Sequence, residues 1–356
     1  MIIPVDLGNR SYNICIDEKE PFAEKIRDMF PHSQFVLITN KTVEKIYETT
    51  IAAWERIIPL TRHVIEDGEK YKTLTTWNTI LEFLLESRFD RGAVIIAFGG
   101  GVVGDIAGFC ASSFLRGVAY MQFPTTLLAM VDSSVGGKVG VNHAKGKNLI
   151  GAIYQPKLVW IDTTVLNTLP KRQYISGYGE VFKYAFLGGR KMFDFILANH
   201  AALLNQDKET LELAIKRSIE IKAGIVSEDE HETGKRALVN FGHTFGHALE
   251  RFYHFKGITH GEGVCWGITC AVELAKRAGT IPEKHQPRYA AILEKHVLPD
   301  LPSKPDIEEI YSAMFHDKKV RAGKLRFVLP AEPGTSIIRD DIHKEDIIAV
   351  LQKVFA

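Results

Sequence analysis

Hydrophobic residues follow two different rhythms along this chain. In the first half, short unbroken apolar runs stand apart: "QFVLITN" (34–40), "RHVIED" (62–67), "GAVIIAFGGG" (92–101), "VAYMQFPTT" (118–126) and "PKLVWID" (156–162). Runs of this length, rich in β-branched and aromatic residues, predict strands buried on both faces. Between them, "TTWNTILEFLLESRF" (75–89) and "GDIAGFCASSFL" (104–115) have helical patterns. Strand and helix in alternation predict a parallel, Rossmann-like sheet with helices on both faces. The opening "VDLGNRSYNICID" (5–17), with polar turn residues between alternating segments, predicts a hairpin.

From about residue 172 the strand signal fades. "KMFDFILANHAALLN" (191–205), "KETLELAIKRSIEIKAGIV" (208–226), "HTFGHALERFYH" (243–254) and "EGVCWGITCAVELAKRAG" (262–279) are helical by period and composition. The pattern predicts an α/β domain over 1–172 and an all-α domain over 173–356. A length of 356 residues is in keeping with two cores.

Composition narrows the function classes. Hydrophobic residues make up 46% and charged residues 24%, as in ordinary globular proteins. A net charge of +1 gives no case for nucleic acid or an anionic membrane as partner. The four cysteines form no CxxC pair, which argues against a zinc knuckle or a disulfide framework. No apolar run reaches the ~20 residues of a membrane span, and the N-terminus lacks a signal-peptide layout. A soluble cytoplasmic protein is expected.

Three stretches carry candidate chemistry. "FGGGVVGD" sets Gly99, Gly101 and Gly104 at G-x-G-x-x-G spacing between a strand and a helix, where backbone can approach a pyrophosphate. It follows the third strand-like run, and no acidic residue ends a strand about 20 positions later, so an ordinary Rossmann binding mode is not expected. "EDGEKYKT" (66–73) also follows a strand and can face the same crevice. "VDSSVGGKVGVNHAKGKNLIG" (131–151) holds five glycines and three lysines. It reads as glycine-flexible loops in which Lys138 and Lys147, with Asp132 and Asn148, cup an anion.

The third stretch holds histidines. His243, His247, His254 and His260 fall within eighteen residues. On a helix His243 and His247 share a face, and His254 joins them if the helix persists. Gly242 and Gly246 precede the first two and leave room beside the backbone. Catalytic zinc takes three protein ligands and leaves a position open. Spacing leaves open which two histidines would serve, and which carboxylate among Glu180, Glu250 and Glu262. Lys183 follows Glu180 by three residues, so both can point into one pocket. Lys222 falls on the apolar stripe Leu211, Ile215, Ile219 and Val226, where a lysine snorkels or meets an anion, and snorkelling is favoured slightly. "HDKKVRAGKLRF" (316–327) alone reads as a solvated basic turn.

Taken in order, "DGEKYKT", "GGGVVGDIAGF", "FLRG", "FPTTLLAMVDSSVGGKVGVN", "GKNLIGAIYQP", "GYGEVFKY", "NFGHTFGHALE", "HGEGV" and "HDKK" resemble the 3-dehydroquinate synthase family, from about residue 35 to 330. The resemblance implies a dehydroquinate synthase-like fold: an NAD-binding α/β domain, a helical metal-binding domain, and an active site between them. It implies Zn2+ or Co2+ on Glu180, His243 and His260, with His247 as a catalytic residue beside the substrate phosphate rather than a ligand; His254 matches no family position. NAD would meet Asn40, Glu69, Lys72, Gly100, Gly101, Val102, Asp105, Thr125 and Thr126. Catalysis and substrate binding would fall to Asp132, Lys138, Asn148, Lys183, Lys222, Arg236 and Asn240, with Lys138 and Lys147 near both ligands. Lys222 thus becomes a substrate contact. Arg116 resembles an arginine that reaches across a homodimer interface, and Lys319, rather than Lys318, would meet the phosphate.

The implied reaction converts 3-deoxy-D-arabino-heptulosonate 7-phosphate, a sugar-acid phosphate of the shikimate pathway, to 3-dehydroquinate and phosphate. It runs through transient NAD oxidation, β-elimination, re-reduction, ring opening and an intramolecular aldol. Related cyclases such as 2-deoxy-scyllo-inosose synthase are the alternative. "DSSVGGKVGVN" and "HDKK" stand in the form that suits the carboxylated substrate. Gly179 and Phe182 depart from the family pattern around Glu180, where alanine and an aliphatic residue are common.

Overall fold

The computed structural model describes residues 1–232, 234–315 and 325–356. Its contacts divide into two compact units, Met1–Pro170 with Lys222–His231, and Lys171–Ile221 with Glu232–Ala356.

The first unit is built on strands β1 (Ile2–Val5), β2 (Tyr12–Ile16), β3 (Phe35–Asn40), β4 (Leu60–Ile65), β5 (Val94–Gly99), β6 (Ala119–Pro124), β7 (Lys138–His143), β8 (Gly146–Ile153) and β9 (Leu158–Ile161). Seven of them form a sheet in the order β1-β2-β9-β6-β5-β3-β4. The pairings are parallel except at β1, which closes the opening hairpin on β2. Five expected strands thus fall in one sheet, and β3 and β5 are buried because the sheet is covered on both sides.

Helices α1 (Phe22–Met29), α2 (Lys41–Ile46), α3 (Glu48–Glu55), α4 (Leu74–Glu86) and α5 (Gly101–Ser113) alternate with these strands. On one face α4 and α5 bury Ile80, Leu84, Ile106 and Cys110 against Val36 and Ile95. Elsewhere in this unit Phe22, Trp54, Phe98 and Phe123 form an edge-to-face cluster, with Phe98 5.1 Å from Trp54 and 4.9 Å from Phe123. The chain leaves β3 for β4 on one side and crosses back to β5 on the other. The strand order therefore reverses between β3 and β5, whose C-terminal ends flank the crevice where ligands bind in such sheets.

One expectation needs correction here. The glycine- and lysine-rich stretch is not a set of flexible loops, because β7 and β8 pair antiparallel as a hairpin. Val139 and Val141 are buried in the α4–α5 core, and Gly108 of α5 admits the hairpin: a Cβ there would lie 2.4 Å from Val139 Cγ1. Alternation was present in the sequence, but glycines hid it.

The second unit is helical: α6 (Lys171–Lys183), α7 (Gly189–Leu204), α8 (Lys208–Glu228, up to Ile221), α9 (His243–Phe252), α10 (His260–Arg277), α11 (Gln286–Glu294), α12 (Ile307–Met314) and α13 (Lys344–Val354). A short antiparallel pair, β10 (Phe327–Pro330) and β11 (Ser336–Arg339), accompanies them. Helix α10 is central. It starts with a capping box, in which the Thr259 hydroxyl accepts from Glu262 N–H and the Glu262 carboxylate accepts from Thr259 N–H. Apolar Val264, Ile268, Val272 and Ala275 on successive turns are fully buried.

Phe182 of α6, one of the departures from the family pattern, stacks on His296 with ring centroids 4.1 Å apart. His296 Nε2 lies 3.0 Å from the Cys265 carbonyl of α10, so that nitrogen carries the proton and donates. Among the described residues, Nδ1 has no hydrogen-bond partner.

Two measurements test these cores. Phe98→Ala empties the centre of the aromatic cluster and should cost about 3–5 kcal/mol in urea unfolding; a loss below about 1 kcal/mol would place the core elsewhere. Burial pushes the His296 pKa down to about 4 from 6.5, helped by His200 and opposed by the Cys265 carbonyl. As pH falls from 6.5 towards 4, the unfolded chain gains a proton at this residue that the folded chain refuses. Stability should fall through that window, and His296→Gln should remove this part of the slope. Parallel stability–pH curves for the two proteins would refute it.

Candidate active site

In the first unit the glycine loop joins β5 to α5, with Gly100 as the N-cap and no side chain capping the helix. The first-turn amides of α5 therefore face outward without a side-chain acceptor, the arrangement that binds phosphate elsewhere. The glycines are also packing devices. A Cβ at Gly100 would lie 3.1 Å from Thr126 Cγ2, at Gly101 2.9 Å from Ser133 Oγ, and at Gly104 2.6 Å from Gln122 Oε1. Thr125 N–H donates to the Gly99 carbonyl at 2.9 Å, and Thr126 Oγ1 accepts from Ala129 N–H at 3.2 Å. Val102 is half-buried in the first turn of α5. Asn40, at the end of β3, caps α2 by accepting from Val43 N–H at 2.9 Å. Asn40 and Gly100–Val102 thus stand at the ends of the two strands that flank the order reversal.

Lys72, buried after β4, forms an ion pair with Asp105 of α5 and donates to Asn148 Oδ1 of β8 at 2.6 Å. Burial pushes the Asp105 carboxyl up against the pull of Lys72. Burial also works against the charge on Lys72, but Asp105 and Glu69 outweigh it and raise its pKa. Glu69 accepts from Asn142 of β7 at 2.7 Å. The structure thus gathers "EDGEKYKT", the glycine loop and the hairpin around one point. Asn148 takes a left-handed backbone (φ 51°) in β8; Lys138 is exposed and Lys147 partly so.

Lys222 does not snorkel to solvent. It is 5% exposed, and its ammonium donates to Asp132 Oδ1 at 2.7 Å and to the Asp132 carbonyl. Asp132 sits on a wide π-type turn, Ala129–Ser133, that follows Thr126. Arg116 is exposed on a turn where Leu115, Arg116 and Gly117 all have positive φ (47°, 68°, 122°).

In the second unit three helices converge. Glu180 on α6 is 0% exposed, and its Oε1 lies 3.5 Å from His243 Nε2 and 3.3 Å from His260 Nε2. Lys183, equally buried one turn on, pairs with Oε2 at 2.5 Å. His243 Nδ1 faces the Phe241 carbonyl at 3.0 Å, and His260 Nδ1 faces Glu250 Oε2 at 3.4 Å. Both rings therefore turn Nε2 towards the same carboxylate oxygen. Burial opposes charge on His260, yet Glu250 and Glu180 outweigh it and hold its pKa at about 10. Ring nitrogens of His243, His247 and His260 also lie within 4.8 Å of one another, so distance alone admits His247 as a third donor.

Glycines make this convergence possible. A Cβ at Gly261 would fall 1.8 Å from the Ser176 carbonyl oxygen, at Gly246 2.8 Å from that of Gly263, and at Gly267 1.9 Å from that of Gly242. Gly242 has φ 79°, which lets the chain turn sharply into α9 at His243. What approaches the backbone beside Gly242 and Gly246 is helix α10. Gly179 belongs to the same contact, since a Cβ there would lie 2.8 Å from Cys265 Sγ and from the Gly261 carbonyl oxygen.

Other expectations resolve locally. His254 leaves the histidine face because α9 ends at Phe252 and His254 has φ 51°. Glu262 is taken up by its capping box and by a two-pronged bond from Arg172 at 2.7 and 2.8 Å. Arg236 is buried, and Asn240 donates to Glu232 at 2.6 Å. Lys318 and Lys319 lie outside the described residues. Residues that the sequence reading did not single out are Arg172 and Ser176; the Ser176 hydroxyl accepts from Gly261 N–H at 3.1 Å. Their signal was their place one and two turns before Glu180 on its helix.

No helix among the described residues is long and apolar enough to cross a membrane. The fold is that of the sugar-phosphate cyclases. A solved structure of 2-deoxy-scyllo-inosose synthase, complexed with carbaglucose-6-phosphate, NAD+ and Co2+, superposes with a TM-score of 0.88 at 28% identity, covering 99% of this chain and 100% of that one. A 2-epi-5-epi-valiolone synthase from Streptomyces hygroscopicus, with NAD+ and Zn2+ bound, gives 0.87 at 26% identity over 98% of each chain. Residues 62–176 match the model of the 3-dehydroquinate synthase N-terminal domain, and 177–320 that of the C-terminal domain. The 3-dehydroquinate synthase of Saccharophagus degradans is 43% identical over 98% of this chain and 97% of its own. The chain belongs to the 3-dehydroquinate synthase family.

The helix crossing can be tested directly. Gly267→Ala forces α9 and α10 apart and draws His243 from Glu180. Thermal and urea unfolding should show a loss of about 1–3 kcal/mol; an unchanged midpoint would mean that this contact does not hold the helices.

Proposed function

We propose that the chain catalyses its family's reaction, converting 3-deoxy-D-arabino-heptulosonate 7-phosphate to 3-dehydroquinate and phosphate. The observation that carries this reading is the convergence of His243 and His260 Nε2 on the buried Glu180 carboxylate, in a chain 43% identical to a 3-dehydroquinate synthase over almost its whole length. Two imidazoles and a carboxylate, with both Nδ1 atoms already engaged, suit Zn2+ or Co2+ and leave room for substrate oxygen. We assign Glu180, His243 and His260 as the ligands. The metal, when bound, supplies Lewis acidity to hydroxyl or carbonyl oxygens. NAD, when bound at the α5 N-terminus, supplies a reversible hydride acceptor, so the reaction needs no net oxidant.

The chain's own residues then have distinct tasks. Gly100, Gly101 and Val102 offer backbone amides to the NAD pyrophosphate, with Thr125 and Thr126 beside them. Asn40, Glu69, Lys72 and Asp105 border the same strand ends and meet the rest of the cofactor. The substrate has a carboxylate and a phosphate, and buried or clustered cations match them. From the first unit these are Lys138, Lys147 and Lys222, with Asn148 as a neutral donor and Asp132 orienting Lys222. From the second they are Lys183 and Arg236 with Asn240, and Lys319 completes the phosphate contacts. Lysines already held by carboxylates keep their charge when buried, so they are ready for an anion.

His247 is half-buried one turn beyond a ligand and keeps its ring for proton transfer at the phosphate end. The same reading makes the protein a cytoplasmic homodimer, with exposed Arg116 at the subunit interface.

Phosphate release from the heptulosonate phosphate, with catalytic NAD and with or without a chelator, tests the function beside sedoheptulose 7-phosphate and glucose 6-phosphate. Metal-dependent release from the heptulosonate alone, without NADH accumulating, is expected. Release only from a neutral-ended sugar phosphate would make the chain a different cyclase. The histidine roles separate in the same assay. His247→Asn should keep its metal and lose about 10²–10⁴-fold in rate, whereas Glu180→Gln should lose metal and rate together. Metal loss in the His247 variant with retention in the Glu180 variant would exchange their roles.

A further inference from the structure

We propose that Glu250 is a positioning residue for His260: its carboxylate accepts from His260 Nδ1–H, fixes Nε2 as the nitrogen that faces the metal, and adds a second negative charge to the centre. The inference rests on the ligand assignment given above.

The geometry separates Glu250 from the other carboxylates nearby. Glu180 faces the Nε2 side of the histidines, and Glu262 is committed to Thr259 and Arg172. Glu250 Oε2 instead lies 3.4 Å from His260 Nδ1, while Nε2 of the same ring is 3.3 Å from Glu180. The ring is strung between two carboxylates, one on each nitrogen. His243 has the same arrangement with a neutral partner, since its Nδ1 faces the Phe241 carbonyl. Metal-bound histidines are ordinarily oriented through the nitrogen that does not bind, and a carboxylate there makes the ligand more basic than a carbonyl does.

The location of Glu250 is buried and close to the helix end. Glu250 is 2% exposed and sits in the last turn of α9, where the helix dipole disfavours negative charge. Its stem is also confined, because a Cβ at Gly263 on α10 would lie 3.3 Å from Glu250 Cγ. The carboxylate is thus held against the ring by the same helix that carries His260.

The test is metal binding by chelator-stripped full-length protein, with Zn2+ and Co2+ as probes, for the parent, Glu250→Gln, Glu250→Ala and Glu180→Gln. Glu250→Ala should weaken binding about 10–100-fold. Glu250→Gln should weaken it less, because its amide oxygen still accepts the N–H but lacks the charge. The visible bands of the Co2+ form should shift in both, since the donor strength of His260 changes; a residue that only supports the fold would leave them in place. If Glu250→Ala does not fold, the glutamine variant carries the test. Parent affinity and spectrum in the Glu250 variants, with binding lost in Glu180→Gln, would overturn the role of Glu250 and leave the ligand assignment standing. Undiminished binding in Glu180→Gln would overturn the ligand assignment, and the inference with it.

Discussion

Backbone meets backbone where α10 crosses α6 and α9, and the arrangement of the second unit depends on that contact. Gly261 lies on Ser176, Gly246 on Gly263 and Gly267 on Gly242, each too close for a methyl group. Ordinary helix pairs stand 8–10 Å apart because side chains separate them. Here backbone approaches backbone directly, and Glu180, His243 and His260 on three helices meet within 3.5 Å. The same closeness excludes water from Glu180, so its charge must be balanced by Lys183 and by the imidazoles. Packing and electrostatics are therefore one constraint: the glycines create the burial that makes a cationic centre necessary.

The first unit solves a similar problem with a sheet. Its strand order reverses between β3 and β5, which leaves the ends of those strands without a covering connection. Gly100 lets α5 begin there without a side-chain cap, and Asn40 caps α2 from the neighbouring strand. Around this opening, Lys72 is held by Asp105 and Lys222 by Asp132. Together with Lys183 and Glu180, each buried lysine among the described residues has a carboxylate partner. An unpartnered buried ammonium would cost several kcal/mol. A paired one stays charged, and an incoming anion can compete for it.

Much of this was legible in the chain. The apolar runs at 34–40, 92–101 and 118–126 became β3, β5 and β6, because a strand buried on both faces needs no partner pattern to be recognised. The helices after residue 172 followed from their period. The family could be read from motif order, and the comparisons bear it out. The hairpin at 138–153 was hidden, because glycine carries no polarity with which to mark a face. Lys222 was misjudged as a snorkeller, since sequence shows that a lysine lies on an apolar stripe but not that Asp132 waits ninety residues earlier. His254, which matches no family position, leaves the histidine face at the end of α9, where positive φ at His254 and Phe255 breaks the helix.

The sequence by itself determined the alternation of elements and the family, and it supplied a set of candidate residues for metal, cofactor and anions. These depend on local pattern and side-chain chemistry, which a linear chain displays. The tertiary structure alone decided what each carboxylate faces: Glu180 the two Nε2 atoms, Glu250 an Nδ1, and Glu262 a helix cap and an arginine. All three are glutamates near histidines in the chain or the fold, and nothing in their spacing ranks them. Their roles differ because helix crossings of fixed geometry carry each to a different side of the same rings.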